Sequence, residues 1–399
     1  MRWRVTRYFF PLITALIASS CTSFESESHS ENSALVVRID RADVPIADLS
    51  APLVERFRAG DELFETVFRE IDGLGPLYVR ASCSDCHADD GRGPGLVTRV
   101  GRLDPKAREE SLRALLPFGD MERPYALGSA KPLLFSDDLG FRKTRRMPPA
   151  VFGRGYIEAV ADRSIIENAK RARRPGSPIS GRVALLDQGP GTSPKIGRFG
   201  LKARSPDLLS FTADALLGDM GLTSSYQPVE PANPSGVTDD SKAGLDVTDE
   251  QVGLLADYVR LLVLPERKLP QDPRGARLFA TVECSECHVP SLRTRADAEV
   301  PMLADIDAPI YSDLLLHDMG EGLSDGITEG AAGPREWRTA PLIGMRFQSS
   351  FLHDGRAQSV LEAILLHRGE GSEAADSVAA FLALDEDDRR ALLGFVQGL

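Results

Sequence analysis

Two five-residue words, CSDCH at 83–87 and CSECH at 284–288, hold four of the five cysteines in this 399-residue chain. Two thiols spaced by two residues can add across a pair of haem vinyl groups. An imidazole that follows directly then falls beneath the iron as its proximal ligand. A lone C-x-x-C is also compatible with a redox or zinc pair, and even-numbered cysteines in an exported chain are first read as disulfides. The histidine after each pair, twice over, favours covalent haem. Cys83, Cys86, Cys284 and Cys287 are therefore candidate attachment sites for two c-type haems, with His87 and His288 as proximal ligands.

Elements of a repeated kind must position these words. RFRAGDELFETVFREIDGLGPLYVRAS precedes the first and DPRGARLFATVE the second, both helix-like and both with Leu-Phe on one face. Each half also closes on an amphipathic helix. DVTDEQVGLLADYVRLLVLP starts with a capping residue and an acidic first turn, and DEDDRRALLGFVQGL does the same at the C-terminus. A leading helix and a closing helix around a haem word resemble a small class c cytochrome domain. The expected fold is mainly α: two such domains with long Gly/Pro/Ser-rich loops, their haems facing across the domain interface. PERKLPQDPRG is the better linker, which divides the mature chain into an N-terminal domain at 49–267 and a C-terminal domain at 268–399.

The N-terminus has the layout of an export signal: arginines in MRWRVTR, a short apolar run in YFFPLITALI, and small residues before Cys21. A cysteine at that point resembles a lipobox, so 1–21 is expected to be a signal ending at a lipidated Cys21. Ala18 stands where that box usually has Leu, and an ordinary secretory signal is the alternative. Residues 22–48 read as a polar tether. Together these imply a periplasmic protein anchored by lipid, with Thr22 resembling the pattern of outer-membrane lipoproteins. The net charge of −12 argues against nucleic acid, whose phosphates need a basic face.

A second echo carries chemistry. YIEAVADRSIIENA, from Tyr156, aligns without gaps on FLHDGRAQSVLEAI, from Phe351, so Glu158 falls on His353 and Glu167 on Glu362. Upstream, MPPAVFG matches RTAPLIG. GDMG and HDMG form a further pair, read as a shared turn around Asp219 and Asp318.

These stretches, with IGRFGLKA, YSDLLLHDMGEGLSDG and WRTAPLIGMRFQSSFLHDGRAQSVLEAILLHRGE, resemble the bacterial dihaem cytochrome c peroxidase superfamily. Within it they look most like the di-haem oxidoreductase family, often labelled thiol oxidoreductase. The resemblance runs from about residue 50 to the C-terminus. In the peroxidases a Met fourteen residues after the FHDG-type His is the sixth ligand of the electron-transfer haem. The same step from His353 lands on His367, which implies a His/His haem of lower potential than a Met-ligated one. From Glu158 it lands on Ala172, which cannot ligate iron, so the N-terminal haem is expected to be open for chemistry.

The resemblance makes Glu158 a candidate distal acid–base, a helix-surface glutamate being the alternative. Met147 is the first candidate for a distal ligand that would fill the N-terminal site instead. His353 is a family position near haem or a turn residue, and His317 a propionate partner or a structural histidine. Trp337 is an electron relay or a core residue. A calcium ion between the domains is implied by analogy alone, with the SDDLG loop as its acidic candidate. The implied activity is peroxidase-like: electrons from a small cytochrome c or cupredoxin reach the C-terminal haem and reduce hydrogen peroxide, or another small oxidant, at the N-terminal one. The alternatives are a non-catalytic dihaem electron carrier and a haem enzyme that oxidises protein side chains.

Overall fold

The computed structural model describes residues 43–93, 95–102, 118–135, 141–172, 176–238, 242–267 and 272–399. The expected export signal with Cys21, the expected tether up to residue 42 and the SDDLG loop at 136–140 lie outside the described residues. The helices are α1 (Ala51–Glu65), α2 (Arg154–Ala159), α3 (Asp162–Ala172), α4 (Leu208–Met220) and α5 (Asp249–Leu261). Beyond them come α6 (Pro273–Thr281), α7 (Val360–Leu366), α8 (Ala375–Ala383) and α9 (Glu386–Gln397). No described helix is long and apolar enough to cross a membrane.

Both closing helices form where their caps place them. Thr248 caps α5 by accepting from Gln251 N (3.2 Å), while Gln251 Oε1 accepts from Thr248 N (2.9 Å), a reciprocal capping box. Asp385 caps α9 by accepting from Asp388 N (2.8 Å). Each packs on the leading helix of its half. Against α5, α1 lays Phe57 and Phe64, whose rings lie 5.1 and 4.9 Å from that of Tyr258. Gly60 permits this approach, since a Cβ there would stand 2.7 Å from Tyr258 Cβ. On the other pair, Phe279 of α6 meets Phe395 of α9 edge-on at 5.5 Å.

The expectation of a mainly α fold is overturned. Helix makes up 35% of the structure and strand 15%, the strands paired into small antiparallel ribbons. The longest ribbon pairs Val97–Arg102 with Phe141–Arg146, and a shorter one pairs Leu316–Asp318 with Glu336–Arg338. The reason lies in the connections. Helices here are short and separated by Gly- and Pro-rich segments that cannot continue a helix, and the freed backbone groups pair locally across the chain instead. The lead into the first haem word shows the same effect: α1 stops at Glu65, and Gly73, Gly75 and Pro76 carry the chain to Cys83 without a helix.

All described residues belong to one compact unit. Its principal apolar cluster joins Phe57, Ile157, Leu216 and Tyr258 to Leu292, Leu314 and Ile343, so the regions before and after residue 267 share a core. A second cluster gathers Phe279, Tyr311, Met345, Phe351, Leu392 and Phe395 around the C-terminal word.

Candidate haem-binding site

The two words adopt the same turn. His87 N donates to Cys83 O at 3.0 Å, and His288 N donates to Cys284 O at 3.0 Å, which brings both thiols and the imidazole of each word together. All four cysteines are free, so no disulfide closes either word. Burial pushes Cys83 and Cys284 up to about 12 and Cys86 up to about 11. A redox C-x-x-C has the opposite character, a thiol pulled down toward neutral pH.

The second word opens onto a cavity of ≈ 260 Å³ lined by Cys284, Cys287, His288 and His367 among mostly apolar side chains such as Leu342, Phe351, Val360 and Val396. Phe279 forms part of one wall, packed edge-on against Tyr311 and Phe395. Tyr311 then offers its carbonyl to His288 Nδ1 at 3.1 Å. Across the cavity His367 sits at the C-cap of α7, its Nδ1 on Ala363 O at 2.6 Å. Each ring thus commits Nδ1 to a backbone carbonyl and keeps Nε2 for a metal, the usual arrangement behind a ligating histidine. Burial holds both imidazoles neutral, His288 down to about 4 with His367 adding to the effect. Two free thiols, two oriented neutral imidazoles and an apolar cavity fit a c-type haem.

The first word is built differently. His87 Nδ1 is buried without a hydrogen bond, although the carbonyls of Pro149 and Gly91 lie beside the ring. Burial, and then Arg154, bring this imidazole down to about 4. The chain returns against the thiols at Gly95, where a Cβ would stand 2.6 Å from Cys86 Sγ. Free thiols and an orphaned neutral imidazole again fit a haem word.

His317 and Trp337 face each other across the ribbon of Leu316–Asp318 and Glu336–Arg338, and both line the cavity. His317 is clamped: Nδ1 pairs with Glu373 Oε2 at 2.7 Å and Nε2 with Asp313 Oδ2 at 2.9 Å, with Cys287 Sγ 3.6 Å from Nδ1. Burial opposes its charge, yet Cys287, Asp313 and Glu373 together raise it well above the ordinary histidine range. Asp313 and Glu373 already satisfy both of its nitrogens, so this cluster reads as a pinned imidazolium behind Cys287. Gly181 packs so closely on the ring that any Cβ would overlap it.

Trp337 donates Nε1–H to Leu323 O at 2.8 Å. His353 stacks on it at 4.0 Å and 14°, and Lys202 Nζ lies 4.1 Å from the same centroid. Two groups that close cannot share one face, so the indole is sandwiched. Lys202 is fully buried, donating to Gly333 O (2.8 Å) and Glu336 O (3.0 Å) and lying 3.4 Å from Asp325. His353 has its Nε2 buried without a hydrogen bond, Asp354 Oδ2 lying 3.8 Å away, and burial takes it down to about 4.

Glu158 is occupied elsewhere. Its carboxylate accepts from Leu208 N at the start of α4 (2.8 Å) and from Arg260 Nε (2.5 Å), and it does not line the cavity. Those contacts cap one helix and brace another. Met147 is near the first word: a Cβ on Gly93 would stand 3.0 Å from its Sδ, and one on Gly355 would stand 2.7 Å from its Cε. The fourteen-residue echo holds at the level of helices, since Ala172 ends α3 as His367 follows the end of α7. GDMG and HDMG do not share a turn: GDMG ends α4 with Gly221 at φ +75°, ψ 9°, whereas HDMG leaves a strand with Gly320 at φ +71°, ψ −178°. Three arginines to which the sequence reading gave no role, Arg92, Arg154 and Arg338, line the cavity as well.

A family model described as "Di-haem oxidoreductase, putative peroxidase" matches residues 122–399, a span that holds the second word, His317, Trp337, His353 and His367. No curated protein matches the chain. Among solved structures, hydrazine synthase of Kuenenia stuttgartiensis, pressurized with 20 bar of xenon, is 14% identical with a TM-score of 0.38. That alignment covers 95% of this chain and 100% of the other.

Proposed function

Since the chain belongs to the di-haem oxidoreductase family, we propose that it is a peroxidase-like enzyme with one c-type haem on each C-x-x-C-H word. The haems supply one-electron chemistry: electrons enter at the C-terminal word and leave at the N-terminal word, where hydrogen peroxide or another small oxidant is reduced. The observation that carries this reading is the unequal equipment of the two words. His288 and His367 line one cavity with both Nδ1 atoms held on carbonyls, so both would hold the iron of an electron-carrying haem through Nε2. His87 has no such histidine partner in its sequence echo, where Ala172 stands.

The protein's own residues do the positioning. Tyr311 O and Ala363 O orient the two imidazoles, and the Asp313–His317–Glu373 cluster holds the wall behind Cys287. Trp337, lining the same cavity, is a relay candidate. Export, lipidation at Cys21, a small cytochrome or cupredoxin donor and an interdomain calcium ion belong to this proposal through the sequence alone. A second reading, a pure electron carrier, is favoured by Met147, whose thioether sulfur lies against Gly93 of the first haem loop.

Low-temperature EPR of the oxidised, haem-loaded protein separates the two. A high-spin ferric signal beside a low-spin one, the former changing with peroxide, is expected, with the low-spin signal lost in His367→Ala. Two low-spin signals indifferent to peroxide, in both oxidised and half-reduced protein, would leave the electron carrier.

A further inference from the structure

Several buried arginines elsewhere in this molecule face carboxylates, whereas Arg123 donates to the carbonyls of Gly218 and Phe118. Arg146 meets Asp325 and Glu329, Arg198 meets Asp162, and Arg260 meets Glu158. Arg92, Arg154 and Arg338 do not: among the described residues none of the three makes an ion pair, although all line the cavity of the second word. Arg92 follows His87 by five residues, and its Nε and Nη2 are buried without a hydrogen bond. Arg154 opens α2 and donates to Ala150 O at 2.6 Å. Arg338, 7% exposed, donates to the carbonyls of Gly200 and Thr339, each at 3.1 Å.

A buried cation without a counter-charge is costly, and a guanidinium, unlike a lysine, does not escape the cost by losing its proton. The strain registers in all three. Burial brings Arg154 down to about 9, with Arg338 and Arg92 adding repulsion, and brings Arg92 and Arg338 down to about 10. The two acids on the cavity wall do not relieve it: Glu373 is spent on His317, and Glu283 is exposed. Asp354 and Asp313 offset Arg92 and Arg338 without an ion pair, so three forks of N–H donors on one wall leave room for an anion that the described residues do not supply.

We propose that Arg92, Arg154 and Arg338 form a carboxylate clamp for the propionate groups of the two haems, Arg92 and Arg154 serving the first word and Arg338 the second. The assignment rests on the haem reading above. Planar guanidinium forks suit carboxylates bidentately. Position divides the work: Arg92 is on the loop of His87, and Arg154 acts electrostatically on that imidazole. Arg338 follows Trp337 on the strand opposite His317, and it feels Asp313, whose N–H binds Cys287 O at 2.9 Å. A free inorganic oxyanion has the same chemistry and is the other source the test must separate.

The test measures both reduction potentials of the holoprotein by spectroelectrochemistry, in wild type, Arg92→Gln, Arg338→Gln and Arg338→Lys, with and without sulfate. A haemochrome count comes first, and a chain without covalent haem ends the functional reading itself before any potential is read. A neighbouring cation favours the ferrous state, so each Gln variant should lower one haem's potential by about a tenfold change in its equilibrium, about 59 mV for one electron. Different haems should respond to Arg92 and Arg338, the Lys variant should stay near wild type, and sulfate should change nothing. Unmoved potentials in both Gln variants overturn the clamp. So does a saturable sulfate effect in wild type that the variants lose, since the occupant is then a free oxyanion. Arg92→Gln removes no hydrogen bond of Nε or Nη2, so it carries the test if Arg338→Gln fails to fold.

Discussion

The surroundings of the two C-x-x-C-H words differ far more than their spelling. CSECH faces a cavity of ≈ 260 Å³ with a second histidine, His367, on its wall, and both His288 and His367 are aimed by carbonyls. CSDCH has the same turn, but its His87 Nδ1 is buried without a partner, and Gly95 closes against Cys86. A ligand oriented on both sides keeps its coordination through a redox cycle, because its second hydrogen bond fixes tautomer and ring angle. At His87 the carbonyls of Pro149 and Gly91 lie beside the ring without closing that bond on Nδ1, so packing sets the ring angle. The difference teaches that two words of nearly the same spelling can sit in unlike surroundings, because carbonyls and helix ends from other elements decide how each imidazole is held.

The strongest way to break this comparison is to delete each attachment pair. Cys284→Ala with Cys287→Ala should leave one covalent haem and cost most of the stability. At roughly 24 cal/mol per Å³ of unrelieved cavity, emptying that space is worth on the order of 6 kcal/mol unless the walls collapse. Cys83→Ala with Cys86→Ala should also leave one haem but cost less, since Gly95 already packs on Cys86. Haemochrome content and denaturant midpoints measure both, and equal losses would mean that the two sites are supported alike.

A smaller effect sharpens the second region alone. Lys202 beneath Trp337 is pushed down to about 8, burial outweighing the opposing pull of Asp325. The folded state therefore releases this proton near pH 8, whereas the unfolded chain holds it to about 10.4. Between those values the unfolded state binds more protons, so this group's contribution to stability rises with pH, by about 3 kcal/mol across the window. Lys202→Met should lack that rise, and below pH 8 it should lose the bonds to Gly333 O and Glu336 O. Denaturation midpoints of variant and wild type at pH 7 and 10 give the slope, and parallel curves would mean that Lys202 is not titrating there.

Much of this site is legible in the amino-acid sequence. The attachment words are local and chemically specific, and Thr248 and Asp385 announce the closing helices because a cap is a short-range signal. The fourteen-residue step to His367 comes from the family resemblance, and the structure places that residue just after the end of α7. The mainly helical expectation fails where pairing is non-local: nothing near Trp337 in the chain says that His317 will stand opposite it. Aligned letters put Glu158 at a haem, but its partners Arg260 and Leu208 come from other elements. The clamp arginines are invisible for the same reason, because lacking a carboxylate neighbour is a property of the folded surroundings and not of the residue.

Met147 is where the comparison is decided with the least disturbance. Its side chain fills the gap between Gly93 on the first haem loop and Gly355 just beyond His353, and both glycines have positive φ, +84° and +75°. Its N–H also binds His353 O at 2.8 Å, so the residue is a brace between the two regions whatever its sulfur does. Leucine has nearly the same volume, and such swaps usually cost under about 1.5 kcal/mol. Met147→Leu should therefore keep two haems, a near-normal midpoint and the same high-spin signal, because a brace needs bulk and not a thioether. If instead a low-spin signal turns high-spin in this variant alone, the sulfur was ligating the first iron. The two words would then both belong to electron carriers, differing in ligand and not in job.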